Sequence, residues 1–216
     1  MDDVNNIRWW HCIDLGNGII TKGQSLNIDQ LNDLNIPDDL TGKTVLDIGA
    51  WDGYFSFVAE ERGAIVTATD SANHSWGKVG TGKAGFDLAK KLRNSKVNEY
   101  ISDVYDLDPS IIGTFDIVFC FGVLYHVKGP YTLLEKIFDL TNELAIIETV
   151  SNNNMNEKRI IEYYRLQENN DPSNYFSLNA LCLIKMLEHI GFTNIFIPQG
   201  IPNTNDFTRL TCHAYK

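Results

Sequence analysis

The stretch VLDIGAWDGYFSF, Val45 to Phe57, followed by the run IVTATD that closes on Asp70, decides the fold. An apolar run, a glycine turn and a helix start, then a second apolar run ended by a carboxylate, read as consecutive strand, turn, helix and strand of an open α/β sheet. Gly49 lets the backbone turn sharply as it leaves the first strand, and Gly53 lets the next helix and a ligand approach with no Cβ between them. Asp70 lies 23 residues after Asp47, a position from which a carboxylate accepts hydrogen bonds from both hydroxyls of a ribose. The competing reading is an α/β domain with an incidental glycine turn.

The turn also separates one adenosine ligand from another. A nicotinamide or flavin fingerprint runs GxGxxG and leaves amides free to face a pyrophosphate, whereas DIGAWDG carries two acids, Asp47 and Asp52. Two carboxylates repel phosphate and suit a cationic or zwitterionic ligand. S-adenosylmethionine meets that description and a dinucleotide does not. The later GKVGTGKAG, Gly77 to Gly85, lacks the GxxxxGK[ST] order of a phosphate loop and does not directly follow a strand.

With Asp47 two residues before Gly49, Asp70 closing the second run and Asp103 with Val104 in ISDVYDL, the chain resembles the class I S-adenosylmethionine-dependent methyltransferases. FDIVFCFGVLYHVKGP, Phe115 to Pro130, and IIET, Ile146 to Thr149, are similar to the branch that contains the tRNA wobble-uridine carboxymethyltransferase. The resemblance covers roughly residues 40 to 150. It implies a Rossmann-like α/β fold with a seven-stranded sheet whose final strand is antiparallel. It also implies donor contacts from Asp47, Gly49, Gly53, Asp70, Asp103, Val104 and Gly122. Trp76 is read separately, as a broad aromatic suited to pack on the adenine face.

Strands are expected at about 44–48, 65–69, 97–101, 115–121, 143–149, 193–198 and 208–214. Phe115 to Phe121 is apolar apart from Asp116, so Gly122 to His126 falls at the carboxyl end of a buried strand, where open sheets carry their chemistry. Three roles stand for His126: proton acceptor from an acceptor hydroxyl or ring amine, substrate orienter, or structural tie for the loop. Glu148, ending LAIIE, either faces a pocket or holds a loop by hydrogen bonds. Methyl transfer from a sulfonium needs chiefly in-line positioning, because the thioether leaves without protonation.

RWWHCIDLGNGIITKGQ, Arg8 to Gln24, is aromatic and reads as a lid over residues 1–40, ahead of a single compact donor-binding domain at 41–216. Trp9 and Trp10 either stack on a planar substrate or cover the sheet edge, and His11 is either a second catalytic contact or a satisfied structural histidine. Asn27 to Leu40 is expected to be helix and connector with its break at Pro37. A helix is expected over Asn156 to Leu166, broken by Asn169 to Pro172. Beyond it the resemblance places the aromatic pair Tyr175 and Phe176 near the acceptor, and Tyr125 lies at the strand end by the cleft. The helix Asn179 to Ile190, stopped by Gly191, is expected to pack Leu181, Ile184 and Leu187 inward.

Composition sets the outer limits. Net charge is −10, from 28 acidic and 18 basic residues, which disfavours nucleic acid as a partner without removing it. In the resembled branch the tRNA-modifying members carry an additional amino-terminal region and use a carboxylated donor, whose extra carboxylate Arg209 would meet. The four cysteines and five histidines show no metal-ligand spacing, so no metal is expected, and three of the cysteines lie in apolar runs that suit a reducing cytoplasm. No run reaches membrane-spanning length and MDDVNNIRW is too acidic and polar for a secretory signal. The leading reading is methyl transfer from S-adenosylmethionine to an oxygen or nitrogen of a small metabolite, sugar or natural-product intermediate. The alternatives are methyl or carboxymethyl transfer to a tRNA base, and a noncatalytic donor-binding module. Acceptor identity and oligomeric state are not encoded legibly.

Overall fold

The computed structural model describes residues 2–23, 27–73, 76, 82–152, 158–163, 173–200 and 207–216. Two compact units divide the chain, Met1–Leu107 and Asp108–Lys216. In the first, a short helix α1 (Asp2–Asn5) precedes a looped segment bridged between Asp14 and Ile20, then α2 (Asn27–Leu34). There follow β1 (Thr44–Ile48), α3 (Tyr54–Glu61), β2 (Ile65–Asp70), α4 (Gly82–Arg93) and β3 (Asn98–Ile101). The helix α2 ends before Pro37, because Asn35 already takes the left-handed conformation at φ 49°.

β2 pairs in parallel with both β1 and β3, Asp47 lying opposite Ala68 and Asp70 opposite Ile101. Val45, Leu46 and Ile48 are wholly buried, which is why β1 reads as a continuous apolar run and not an alternating one. On α3, Phe57 stacks on Phe86 of α4 at 5.7 Å between ring centres. Lys83 and Lys90 of α4 pass over the Phe86 ring and both reach Glu99 on β3, at 2.9 and 2.6 Å.

The second unit runs α5 (Pro109–Ile112), β4 (Phe115–Phe121), a 3-10 turn at Leu124–His126, α6 (Pro130–Leu140), β5 (Thr141–Asn152), β6 (Ile161–Tyr163), β7 (Phe176–Leu178), α7 (Ala180–Ile190), β8 (Asn194–Phe196) and β9 (Phe207–Tyr215). β4 and β5 are parallel, and β9 is antiparallel to both β5 and β8. The strand order is β3-β2-β1 in the first unit and β4-β5-β9-β8 in the second, seven strands in all. This is the expected Rossmann-like α/β class with its antiparallel final strand.

Two expectations are corrected. Within Asn156 to Leu166 the described residues hold the strand β6 in place of a helix, paired antiparallel with β7. Ile160 trades backbone and side-chain hydrogen bonds with Asn179, and the β-branched Ile161 sits well in the resulting ribbon. The other residues of that stretch, and Asn169 to Pro172, lie outside the described residues. On α7, Asn179 caps the helix by accepting from the Cys182 amide at 2.9 Å, and Gly191 ends it at φ 129°, as expected. The buried side is Ala180, Cys182, Leu183 and Leu187, while Leu181 and Ile184 are only half-buried. The stripe is therefore led by Leu183, at i, i+3 and i+7 from the capped first residue.

Gly53 sits at φ 84°, and a Cβ there would come within 2.6 Å of Phe86 and 2.9 Å of Phe57. Gly42, at φ 74°, has open space around it. Gly42→Ala should cost about 1 kcal/mol from backbone strain alone. Gly53→Ala should cost about 3 kcal/mol, because overpacking adds to the same strain. Urea unfolding of both variants checks the difference; equal losses would show that Gly53 is not a packing glycine.

Candidate active site

The turn after β1 is fastened from several directions. The amides of Gly49 and Ala50 both donate to the Thr69 carbonyl, at 2.8 and 3.1 Å. Gly49 and Gly53 take positive φ as their sequence positions predicted, but so does Trp51, at φ 50°, which is rare for a bulky residue. Its amide donates to Asp70 Oδ2 at 3.0 Å and its carbonyl accepts from the Trp76 indole at 2.7 Å. Asp70 Oδ1 also takes the Ser71 amide at 2.7 Å, so this carboxylate shapes the turn itself. Trp76 is buried, with its N–H spent on that carbonyl and its ring tilted on Phe86 at 5.0 Å. It braces the turn from a packed position beside Phe86.

Asp47 is buried beneath the turn and accepts from Ser56 Oγ at 2.5 Å. Burial pushes its carboxyl up to about 6; Ser56 and the nearby His11 pull it down, and Asp70 pushes it further up. Asp103 and Val104 lie at the end of β3, where Asp103 caps the short turn Val104–Asp106 by accepting from the Tyr105 amide at 3.1 Å. The Ser102 amide donates to the Asp70 carbonyl at 3.1 Å, tying that end of β3 to the end of β2.

The amino-terminal segment packs into the same unit. Trp9, Ile13 and Leu15 are buried, and Thr21 Oγ1 accepts from the Ile13 amide while donating to the His11 carbonyl. The Trp9 indole donates to Val4 O at 2.9 Å, and a Cβ on Gly85 would lie 3.1 Å from its ring. Of the two adjacent tryptophans, Trp9 is therefore a core residue, and Trp10, 42% exposed, is the one open to a ligand. His11 is buried, its Nδ1 lying 2.6 Å from Asp52 Oδ1, and Asp52 Oδ2 takes the amides of both Trp10 and His11 at 2.9 Å. Nothing in the sequence announced this pair, whose members are 41 positions apart.

A second cluster belongs to residues 108–216. Gly122, at φ 70°, donates its amide to the Glu148 carbonyl at 3.1 Å. Glu148 is buried, its carboxyl raised by desolvation and drawn back by Arg209, whose Nε lies 2.6 Å from Oε1. Arg209 Nη1 donates to Tyr125 Oη at 2.9 Å, with the guanidinium 5.3 Å over the Tyr125 ring. Arg209, whose side chain is 44% exposed, thus pairs with an internal carboxylate. His126 Nδ1 lies 2.9 Å from Ser173 Oγ, and the Tyr175 amide donates to Tyr125 O at 2.8 Å, so these bonds hold the half-buried Tyr175 and Phe176 beside the 3-10 turn. Ser173 carried no signal in the sequence. Among the described residues no His, Cys, Asp and Glu group could hold a metal ion, and no helix is long and apolar enough to cross a membrane.

A largely parallel α/β sheet, with a glycine turn after its first strand and an acid closing its second, defines the Rossmann-like methyltransferase class. The chain belongs to the family described as methyltransferase domain, whose model matches residues 21–196. Among curated proteins it is 30% identical over 166 residues to the tRNA U34 carboxymethyltransferase of Haemophilus influenzae strain PittGG, covering 72% of this chain and 47% of that protein. It is 24% identical over 190 residues to the enzyme of the same name from Edwardsiella ictaluri strain 93-146, covering 80% of this chain and 51% of that protein. The chain spans about half the length of the curated relatives it matches. Among solved structures, the N-terminal domain of EvdMO1, crystallised in the presence of SAH and D-fucose, superposes with a TM-score of 0.76 at 17% identity, covering 99% of this chain and 94% of that one. The Burkholderia thailandensis 1,6-didemethyltoxoflavin-N1-methyltransferase, bound to 1,6-didemethyltoxoflavin and S-adenosylhomocysteine, gives 0.56 at 18% identity over 82% of this chain and 72% of that one. At such identities these likenesses establish the fold.

Asp47 gives the first unit a titration signature. The native carboxyl holds its proton up to about pH 6, whereas the unfolded group releases it near 3.8, so stability falls as pH rises between those values and is level above them. Asp47→Asn removes the effect. From pH 4 to 7 the stability gap should swing toward the variant by about 2 kcal/mol, read from urea unfolding at each pH. A constant gap would mean that Asp47 does not titrate as a buried acid.

Proposed function

We propose that this chain binds S-adenosylmethionine at the turn after β1 and transfers its methyl group to an oxygen or nitrogen of a small metabolite, sugar or natural-product intermediate. The observation that carries the reading is the set of three buried carboxylates, Asp47, Asp52 and Asp70, gathered around one glycine turn. A cation fits beside them and a pyrophosphate does not. When bound, S-adenosylmethionine supplies a methyl group on a sulfonium that departs as a neutral thioether. In this reading Asp70 and Asp103 hold the ribose and adenine side, Asp47 and Gly49 the amino-acid side, and Trp10 lines the acceptor approach. Tyr125, His126, Glu148, Tyr175 and Phe176 are proposed as acceptor-side groups of the second unit. The rate then comes from alignment, with no acid needed for the leaving group.

A small acceptor is supported by the net charge of −10 and by the small-molecule ligands named for the two solved neighbours. A second reading, carboxymethyl or methyl transfer to tRNA, is favoured by the name of the curated relatives. Calorimetric titration of ligand-stripped protein with S-adenosylmethionine, its carboxylated analogue and S-adenosylhomocysteine separates the two. Preferred binding of the ordinary donor is expected, and preference for the carboxylated analogue would move tRNA to the front. Binding of neither would overturn both readings. Asp70→Ala should weaken donor binding about tenfold or more, the loss of one charge-assisted contact. An unchanged affinity would remove Asp70 from the ribose.

A further inference from the structure

We infer that Asp52 is a positioning residue that prepares Nε2 of His11 to take a proton from the methyl acceptor, an inference that rests on the methyl-transfer reading above. Asp52 is fully buried and its two oxygens divide their work. Oδ2 takes the Trp10 and His11 amides, which by themselves dock the segment on the turn. Oδ1 takes the ring, at 2.6 Å from Nδ1. An ionised carboxylate only accepts, so the hydrogen of a neutral His11 imidazole lies on Nδ1 and the lone pair on Nε2.

The ring is also fixed in angle. Tyr54 stacks on it at 5.1 Å and 18°, and Phe55 meets it edge-on at 5.1 Å and 76°. Among the described residues no hydrogen bond occupies Nε2, and that nitrogen is not sealed from solvent. The ring therefore presents its basic nitrogen from a rigid mount beside the donor turn. The titratable groups that face it are Asp52 from the turn, Asp47 from β1 and Tyr54 from α3. With a hydroxyl acceptor, Nε2 takes the O–H proton, the oxygen pair so released bonds the methyl carbon, and the C–S pair stays on sulfur. The positive charge lost by the sulfonium is the one gained by the imidazole, and Asp52 stabilises it there.

Asp52→Asn is the decisive variant. Its side-chain oxygen can keep the two backbone amides, while its N–H turns to Nδ1 and forces the ring hydrogen onto Nε2. Two probes need no acceptor: nitrogen NMR of histidine-labelled protein, which reads the tautomer, and diethyl pyrocarbonate, which acylates an unprotonated Nε2 and is located by peptide mass spectrometry. The wild type should show an Nδ1–H ring and rapid modification at His11. Asp52→Asn should reverse the tautomer and slow the modification about tenfold or more. A wild-type ring carrying its hydrogen on Nε2, or equal modification rates in the two proteins, overturns the inference. If Asp52→Asn does not fold, the wild type alone decides: a His11 rate about a hundredfold below that of N-acetylhistidine sinks the proposal, as the wrong tautomer does. Failure of S-adenosylmethionine to bind the wild type would fell the methyl-transfer reading, and the use of the pair with it, whatever the ring shows.

Discussion

Burying three carboxylates around one short turn is the constraint on which the first unit depends. An ionised carboxylate deprived of water is costly unless hydrogen bonds or opposite charge replace the solvent, and each of the three is compensated differently. Asp47 takes the Ser56 hydroxyl from the first turn of α3. Asp70 takes the Trp51 and Ser71 amides, and holding the first of these goes with a tryptophan in left-handed backbone. Asp52 takes two amides and a ring from the amino-terminal segment, which is why that segment folds back on the turn. The turn, the helix start and the amino-terminal wall are thus one electrostatic assembly.

The second unit meets the same problem with a cation. In the antiparallel pairing of β5 and β9, Arg209 lies opposite Val150 and Glu148 opposite Thr211. Glu148 and Arg209 are therefore diagonal neighbours on one face, within reach of long side chains. The guanidinium settles the Glu148 carboxylate and orients the Tyr125 hydroxyl together, so a single arginine near the end of the chain fixes the polar groups beside Gly122.

Much of this was legible in the sequence because it is periodic or punctuated. The seven sheet strands were placed from the sequence, and α7 from its apolar spacing and a terminal glycine, though its asparagine cap was not. β6 was not legible: three residues carry no reliable period, and the strand exists through its partner β7, over a dozen positions away. Side-chain pairing was the other blind spot. Trp9 and Trp10 look alike in sequence, yet one is core, its ring packed against Gly85, and the other is open. The bond from the Trp76 indole to the Trp51 carbonyl, across 25 positions, likewise left no mark in the sequence.

The outermost strand of the first unit has a further consequence. β3 ends the strand order, and an edge strand offers unpaired backbone groups to any neighbouring molecule. Here its Glu99 is clasped by two lysines from α4 that also lie over Phe86, which places a ring of charge along the rim where another chain's strand would have to dock. The same side chains that cover an aromatic core residue thereby guard the rim against polymerisation through the sheet, a colloidal safeguard built from three residues.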